Sequence, residues 1–151
     1  MPRHTLVCLL AAALLTGCGG TPDAPLSAAD RTAIQKRYAT FVGHLMKGKG
    51  DRACAQFSPA SRKASDERAR EAGVYDCGAV LDTLSGAIRD TAPEDISVRI
   101  AHPEKIIVTM NGERARAEFP GAQTGGVLQP VTLERVGKRW MIDGTRVIIA
   151  G

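Results

Sequence analysis

The hydrophobic period of this chain changes once. From Ser27 to Ile88 apolar residues recur at helical spacing, and from Ile96 to Ile142 they alternate. Helices first and strands after, with no internal repeat, predict an α+β fold in which N-terminal helices pack on one antiparallel sheet in a single domain.

The first helix opens at Leu26-Ser27-Ala28-Ala29-Asp30, where Ser27 can cap and Asp30 can answer it three residues on. Ile34, Tyr38, Phe41, Val42, Leu45 and Met46 form its apolar stripe, with Arg31, Lys36, Arg37 and Thr40 on the other side, until Gly48 and Gly50 stop it. Asp51 is placed to cap a short second helix running to Phe57. Ser58-Pro59 is a fresh start signal, a cap followed by proline at the first helical position, and the small, charged segment behind it ends at Gly73. Asp76 caps a last helix with Cys77, Val80, Leu81, Leu84, Ala87 and Ile88 on one side.

In the sheet half, Ile96, Val98 and Ile100 alternate with Ser97 and Arg99 and read as a strand ended by Pro103. Ile106 and Val108 lead to Asn111-Gly112, a type I′ hairpin signal. A two-residue loop there sets Val108 opposite Ala115, Ile106 opposite Ala117 and Lys105 opposite Glu118, one face apolar and the other charged. Val127 to Val136 is the next strand, and Gly137-Lys138 turns it into Arg139 to Asp143. That turn pairs Leu133 with Ile142 and Arg135 with Trp140, laying the guanidinium along the indole. Val147-Ile148-Ile149 reads as a last short strand.

The start of the chain carries Arg3, then a Leu- and Ala-rich run from Thr5 to Leu15. That run is shorter than the roughly 20 residues needed to cross a bilayer, and it has the form of a secretory signal. Leu15-Thr16-Gly17-Cys18 resembles a bacterial lipobox, whose cysteine receives lipid. The resemblance implies a signal peptide over 1–17, a flexible tether over 18–26 and a domain over 27–151. It places the protein outside the cytoplasm, anchored to the cell membrane by a diacylglyceryl group and palmitate-like acyl chains on Cys18.

Of the four cysteines, Cys8 falls in the signal and Cys18 takes the lipid. Cys54 and Cys77 remain, an even pair in an oxidising compartment, and are expected to form a disulfide. Neither they nor His44 and His102 show metal-ligand spacing, so no metal is expected. Removing the signal leaves 134 residues (151 minus 17), enough for one core, and a formal charge of about +3 after the loss of Arg3 from +4. Charges are interspersed and aromatics make up only 4% of residues, which argues against a nucleic-acid surface. Nothing in the sequence sets an oligomeric state.

Several features in order resemble one family. They are the long first helix, Gly50-Asp51-Arg52-Ala53-Cys54, Ser58-Pro59, a second cysteine opening a helix, and a meander closing on Lys138-Arg139-Trp140-Met141-Ile142-Asp143-Gly144. The family is the nuclear-transport-factor-2-like superfamily, and within it the small lipoproteins of high-GC Gram-positive bacteria. The resemblance implies a cone: a bent sheet around the first helix with a cavity between. Tyr38, Phe41, Val108, Ala117, Leu133, Trp140 and Ile142 are then the candidate lining, joined by Ile96, Val98, Ile100, Ile106, Ala115 and Val131 on the inward sheet positions. Family enzymes such as ketosteroid isomerases and polyketide cyclases need a buried acid and an oxyanion donor. Tyr38 lies on the first helix, a region where some of them place such a donor. No inward position is acidic or histidine, however, and Glu118, Glu134 and Asp143 fall on the opposite face. His44 and His102 read as solvated or capping residues. No catalytic residue and no cofactor are therefore assigned. The leading expectation is a non-catalytic envelope lipoprotein with a small apolar ligand as candidate occupant of its cavity. An interaction module for another envelope protein comes next, and an isomerase- or cyclase-like enzyme last.

Overall fold

The computed structural model describes residues 26–92, 94–121 and 129–144. Five helices come first: α1 (Ala28–Met46), α2 (Gly50–Cys54), α3 (Pro59–Glu71), α4 (Cys77–Thr91) and α5 (Ile96–Ala101). A 3-10 turn, Pro103–Lys105, leads to strands β1 (Ile107–Asn111), β2 (Arg114–Glu118), β3 (Val131–Val136) and β4 (Arg139–Ile142). The strands form one antiparallel sheet in the order β1-β2-β3-β4, which is not closed. The fold is α+β in a single domain.

Three of the helix starts follow their sequence signals. Ser27 accepts a hydrogen bond from the Asp30 amide at 3.0 Å and donates its hydroxyl proton to the Asp30 carboxylate at 2.8 Å, a reciprocal cap. Ser58 accepts from Ser61 N–H and Asp76 from Ala79 N–H. At α2 the expectation is corrected. The helix begins at Gly50 behind Lys49, with no side-chain cap, so Asp51 sits inside the first turn. The reason is packing. Gly50 abuts α4 so closely that a Cβ built there would lie 2.1 Å from the Gly78 carbonyl, and its amide donates to Asp82 Oδ1 at 2.5 Å. The buried stripe of α4 is Cys77, Gly78, Leu81, Ser85 and Ile88, so Ser85 takes the place expected of Ala87. Its hydroxyl is satisfied by the Leu81 carbonyl at 2.7 Å.

The first expected strand is a helix. Ile96–Ala101 forms α5, with Ile96 buried and Val98 59% exposed. Five alternating residues fit a short helix as well as a strand, because Ile96 and Ile100 are also four apart. The helical choice is reinforced by Arg99, which pairs with Asp95 one turn back at 2.8 Å and donates to the Pro120 carbonyl. Val98 therefore points away from the core.

The first hairpin is also shifted. Asn111 pairs with Arg114, so Gly112 and Glu113 form the loop and Gly112 takes a left-handed φ of 61°. Val108 faces Ala117, Met110 faces Ala115, and Ile107 rather than Lys105 faces Glu118. A shift of two residues changes every partner but keeps each side chain on its face. The second hairpin has the expected register, Leu133 with Ile142 and Arg135 with Trp140. The strand before it starts at Val131; Val127 and Val147–Ile149 lie outside the described residues.

One core joins the layers. Ile34, Tyr38, Phe41, Val42 and Leu45 of α1 meet Leu81 of α4 and Val108, Ala115, Ala117, Leu133 and Ile142 of the sheet. The free edge of β4 is covered by the segment after α2: Ile142 N–H donates to the Gln56 carbonyl and Ser58 N–H to the Ile142 carbonyl, at 3.0 and 2.9 Å. Cys54 and Cys77 are bonded to each other, with Cα atoms 6.1 Å apart, and pin α2 to α4.

Candidate functional site

Most of the residues expected to line a cavity lie together in the core between α1 and the sheet. Tyr38, Phe41, Val108, Ala117, Leu133 and Ile142 are all buried in one cluster. Tyr38 stacks at a tilt on Phe119 with ring centroids 5.0 Å apart, and Phe41 meets Phe57 at 5.7 Å. The Tyr38 hydroxyl donates to the Gln129 carbonyl at 3.3 Å. Burial, then the Glu118 carboxylate, pushes its pKa well above the usual phenol range, which keeps it a neutral donor.

Trp140 behaves differently. Its ring is buried, but its N–H points to the start of α1, where Asp30 Oδ1 accepts it at 2.9 Å. The same oxygen receives the Arg135 guanidinium, and Arg135 lies over the indole with its carbon 5.2 Å from the ring centroid. One carboxylate thus ties the cap of α1 to both strands of the second hairpin. The Trp140 hydrogen bond, then the Ser27 hydroxyl, with Arg135 adding to them, hold the Asp30 carboxyl below the usual range against a smaller desolvation effect. Around this knot is an open groove of about 670 Å³, lined also by Leu26, Met110, Glu113, Arg114, Glu134 and Gly137. Charges of both signs converge there. The arrangement suits a polar partner that can meet an ordered indole, a guanidinium and carboxylates.

A second depression lies beside the disulfide. Asp66, Arg70 and Gly73 to Asp76 line it, and Tyr75 on its rim is 87% exposed. Asp66 accepts the Cys77 N–H at 2.9 Å, which brings its carboxylate within 4.8 Å of both sulfurs. A thiolate is the metal ligand form of cysteine, and these sulfurs are spent on each other.

The remaining acids and histidines are placed as follows. Asp143 was expected on the open outer face of the sheet. It is on that side but buried, because the start of α3 covers it. It accepts from the Ser61 hydroxyl at 3.2 Å, and Arg114 approaches it at 3.4 Å. Glu118 pairs with Arg116 at 3.2 Å. Asp82 serves the Gly50 amide and Asp95 serves Arg99. His102 is exposed beside Glu104 at 3.0 Å. His44 is half-buried, and desolvation, then Arg52, Lys49 and Lys47, lower its pKa. Cys18 lies outside the described residues.

Two site features escaped the sequence reading. Gln35 is buried and its amide donates to the carbonyls of Glu104 and Ile106, at 3.1 and 2.9 Å, clamping the entry to β1 onto α1. It lies three residues before Tyr38 and seven before Val42, which is the signal that it shares their face. The reach of Asp30 to Trp140 joins residues 110 apart in the chain and left no local signal.

No family model, curated protein or solved structure matches the chain.

Proposed function

We propose that this chain is a non-catalytic envelope lipoprotein, held to the cell membrane by lipid on Cys18, whose domain works as an interaction module through its surface. The observation that carries the reading is the buried Cys54–Cys77 bond. Disulfides of this kind persist in oxidising compartments. Leu15-Thr16-Gly17-Cys18 supplies a route to such a compartment and an anchor in it. The nuclear-transport-factor-2-like reading is supported by α1 packed across a four-stranded meander, with short helices between them. Within that reading, the aromatic packing around Tyr38 favours surface recognition over a ligand held inside the cone. The groove at Asp30, Arg135 and Trp140 is the recognition site we favour, since its aromatic and its arginine are already ordered.

The test is acyl labelling and fractionation of Cys18→Ala. The native chain should carry acyl groups and sediment with membranes, and the variant should do neither. A chain that stays membrane-bound and unacylated in both forms overturns the proposal. Saturable, one-site binding of a hydrophobic dye to the native domain would instead favour an apolar ligand in the core.

A further inference from the structure

The exposed side of α1 carries one cation, Lys36, and no carboxylate, and cations gather at the C-terminal end of the helix. Lys36 and Lys47, the residue that caps the helix end, are eleven residues apart, which at about 100° per residue returns them to within roughly 20° of one another. Between and before them the same side carries Ala29, Ala33 and Thr40, all small and exposed, and no carboxylate; Asp30 is turned toward Trp140. Beyond the helix end the exposed Lys49 and Arg52 extend the surface. Among the described residues none of Lys36, Lys47, Lys49 and Arg52 makes an ion pair. At the crossing of α2 and α4, the Asp82 carboxylate is occupied by the Gly50 amide, and the Asp51 carboxylate lies beside Gly78. Three of these cations act together on His44. The opposite side of α1 is the one that packs on the sheet.

We infer that this side of α1 rests on the anionic headgroups of the membrane, so that the helix lies along the bilayer and the sheet faces outward. The inference rests on the lipid anchor proposed for Cys18. Nine residues, 19–27, separate that anchor from α1, a reach of at most about 32 Å. The helix, 19 residues long, spans about 28 Å, so its whole exposed side stays within reach of the surface that holds its start. An anionic bilayer is then the partner always at hand, and it matches a side with no carboxylate that carries Lys36 among small residues and ends on Lys47, Lys49 and Arg52. Each cation brought to such a surface favours the bound pose by roughly fivefold.

The experiment uses the lipidated full chain, reconstituted into vesicles of phosphatidylcholine alone or with phosphatidylglycerol, and reads amide hydrogen exchange over residues 36–54. Exchange should slow by about fivefold or more only on the anionic vesicles, and the protection should vanish in high salt. Lys36→Glu/Lys47→Glu/Lys49→Glu should abolish it, whereas Arg62→Glu/Lys63→Glu on α3 should leave it intact. Equal exchange on both vesicles, protection that survives salt, or equal loss in the α3 variant overturns the inference. The mass of the Cys18 peptide from the same preparation separates the two readings. An acylated chain without protection sinks this inference alone, and an unacylated chain sinks the anchor and this inference with it.

Discussion

Replacing both Cys54 and Cys77 by serine should cost the domain about 3.4 kcal/mol. The bond spans 23 residues of chain, and loop closure over that length removes about 11–12 cal/mol/K from the unfolded ensemble. The loop holds α3, whose buried side chains are only Ser61, Ser65 and Ala69, so it has little apolar surface to hold it in place. Two of its ties are polar: Ser61 to Asp143, and Asp66 to the Cys77 amide. Removing the bond therefore loosens the element least able to dock by itself. Against the roughly 5–15 kcal/mol of a typical domain, the loss is a large fraction of the total. The chain has a single tryptophan, Trp140, buried at the junction of α1 and β4, so its fluorescence reports global unfolding in urea. The midpoint should fall and the m-value should rise, since the uncrosslinked chain exposes more surface when unfolded. A loss below about 1 kcal/mol with an unchanged m-value would refute the idea that the bridge holds α3 to the rest.

Three further outcomes follow from single contacts. Gly50→Ala places a methyl 2.1 Å from the Gly78 carbonyl, a backbone atom that cannot swing aside; overpacking of this kind costs roughly 1–3 kcal/mol, and the melting temperature should drop on the order of 10 °C. Gln35→Ala strips the buried Ile106 carbonyl and the part-buried Glu104 carbonyl of their donor and should destabilise by about 1–3 kcal/mol in urea titration, with the amides around Ile106 losing exchange protection first. The folded-state pKa of Asp30 is depressed, so the stability it contributes is present above the unfolded carboxyl pKa of about 3.9 and is lost as pH falls through its lower folded value. Melting temperatures measured from pH 6 down to pH 2 should therefore show a fall in this acid range that Asp30→Asn flattens, and parallel curves for the two proteins would remove Asp30 from the acid response.

Much of the fold was legible because its signals are local. The caps at Ser27, Ser58 and Asp76 are satisfied by amides three residues on, and a sequence shows such pairs directly. The second hairpin was legible for the same reason, since Gly137-Lys138 leaves only one register that buries Leu133 and Ile142. The misread stretch, Ile96–Ala101, is one where two periods coincide over five residues. What decided it was a tertiary arrangement, Arg99 reaching both Asp95 and the Pro120 carbonyl. At the first hairpin, Asn111-Gly112 marks a turn but not its phase. Placing the loop at Gly112-Glu113 keeps the same apolar face inward, so the hydrophobic pattern could not distinguish the two registers.

The site was less legible, and the reason is geometric. Buried Tyr38, Phe41 and Leu133 were identified from periodicity, but periodicity cannot say whether the space they enclose is empty or filled. Two aromatics pack there as well, Phe57, which stands next to a helix cap, and Phe119, which continues the inward alternation of Ala115 and Ala117 past the end of β2. The polar groups that organise the surface are joined over long separations: Asp30 to Trp140, Gln35 to Ile106, Ser61 to Asp143. Each of these residues has an ordinary local reading, as a cap, a helix-face amide, a first-turn serine or a residue ending a strand. Their second role exists only once the sheet lies across α1 and α3 closes over its edge. The same logic applies to the cations of α1. Spaced through the sequence they form no run, and only the helix and its cap bring Lys36 and Lys47 to one side while the core claims the other. A charge pattern read by sequence distance alone therefore understates what a helix with one free face can present.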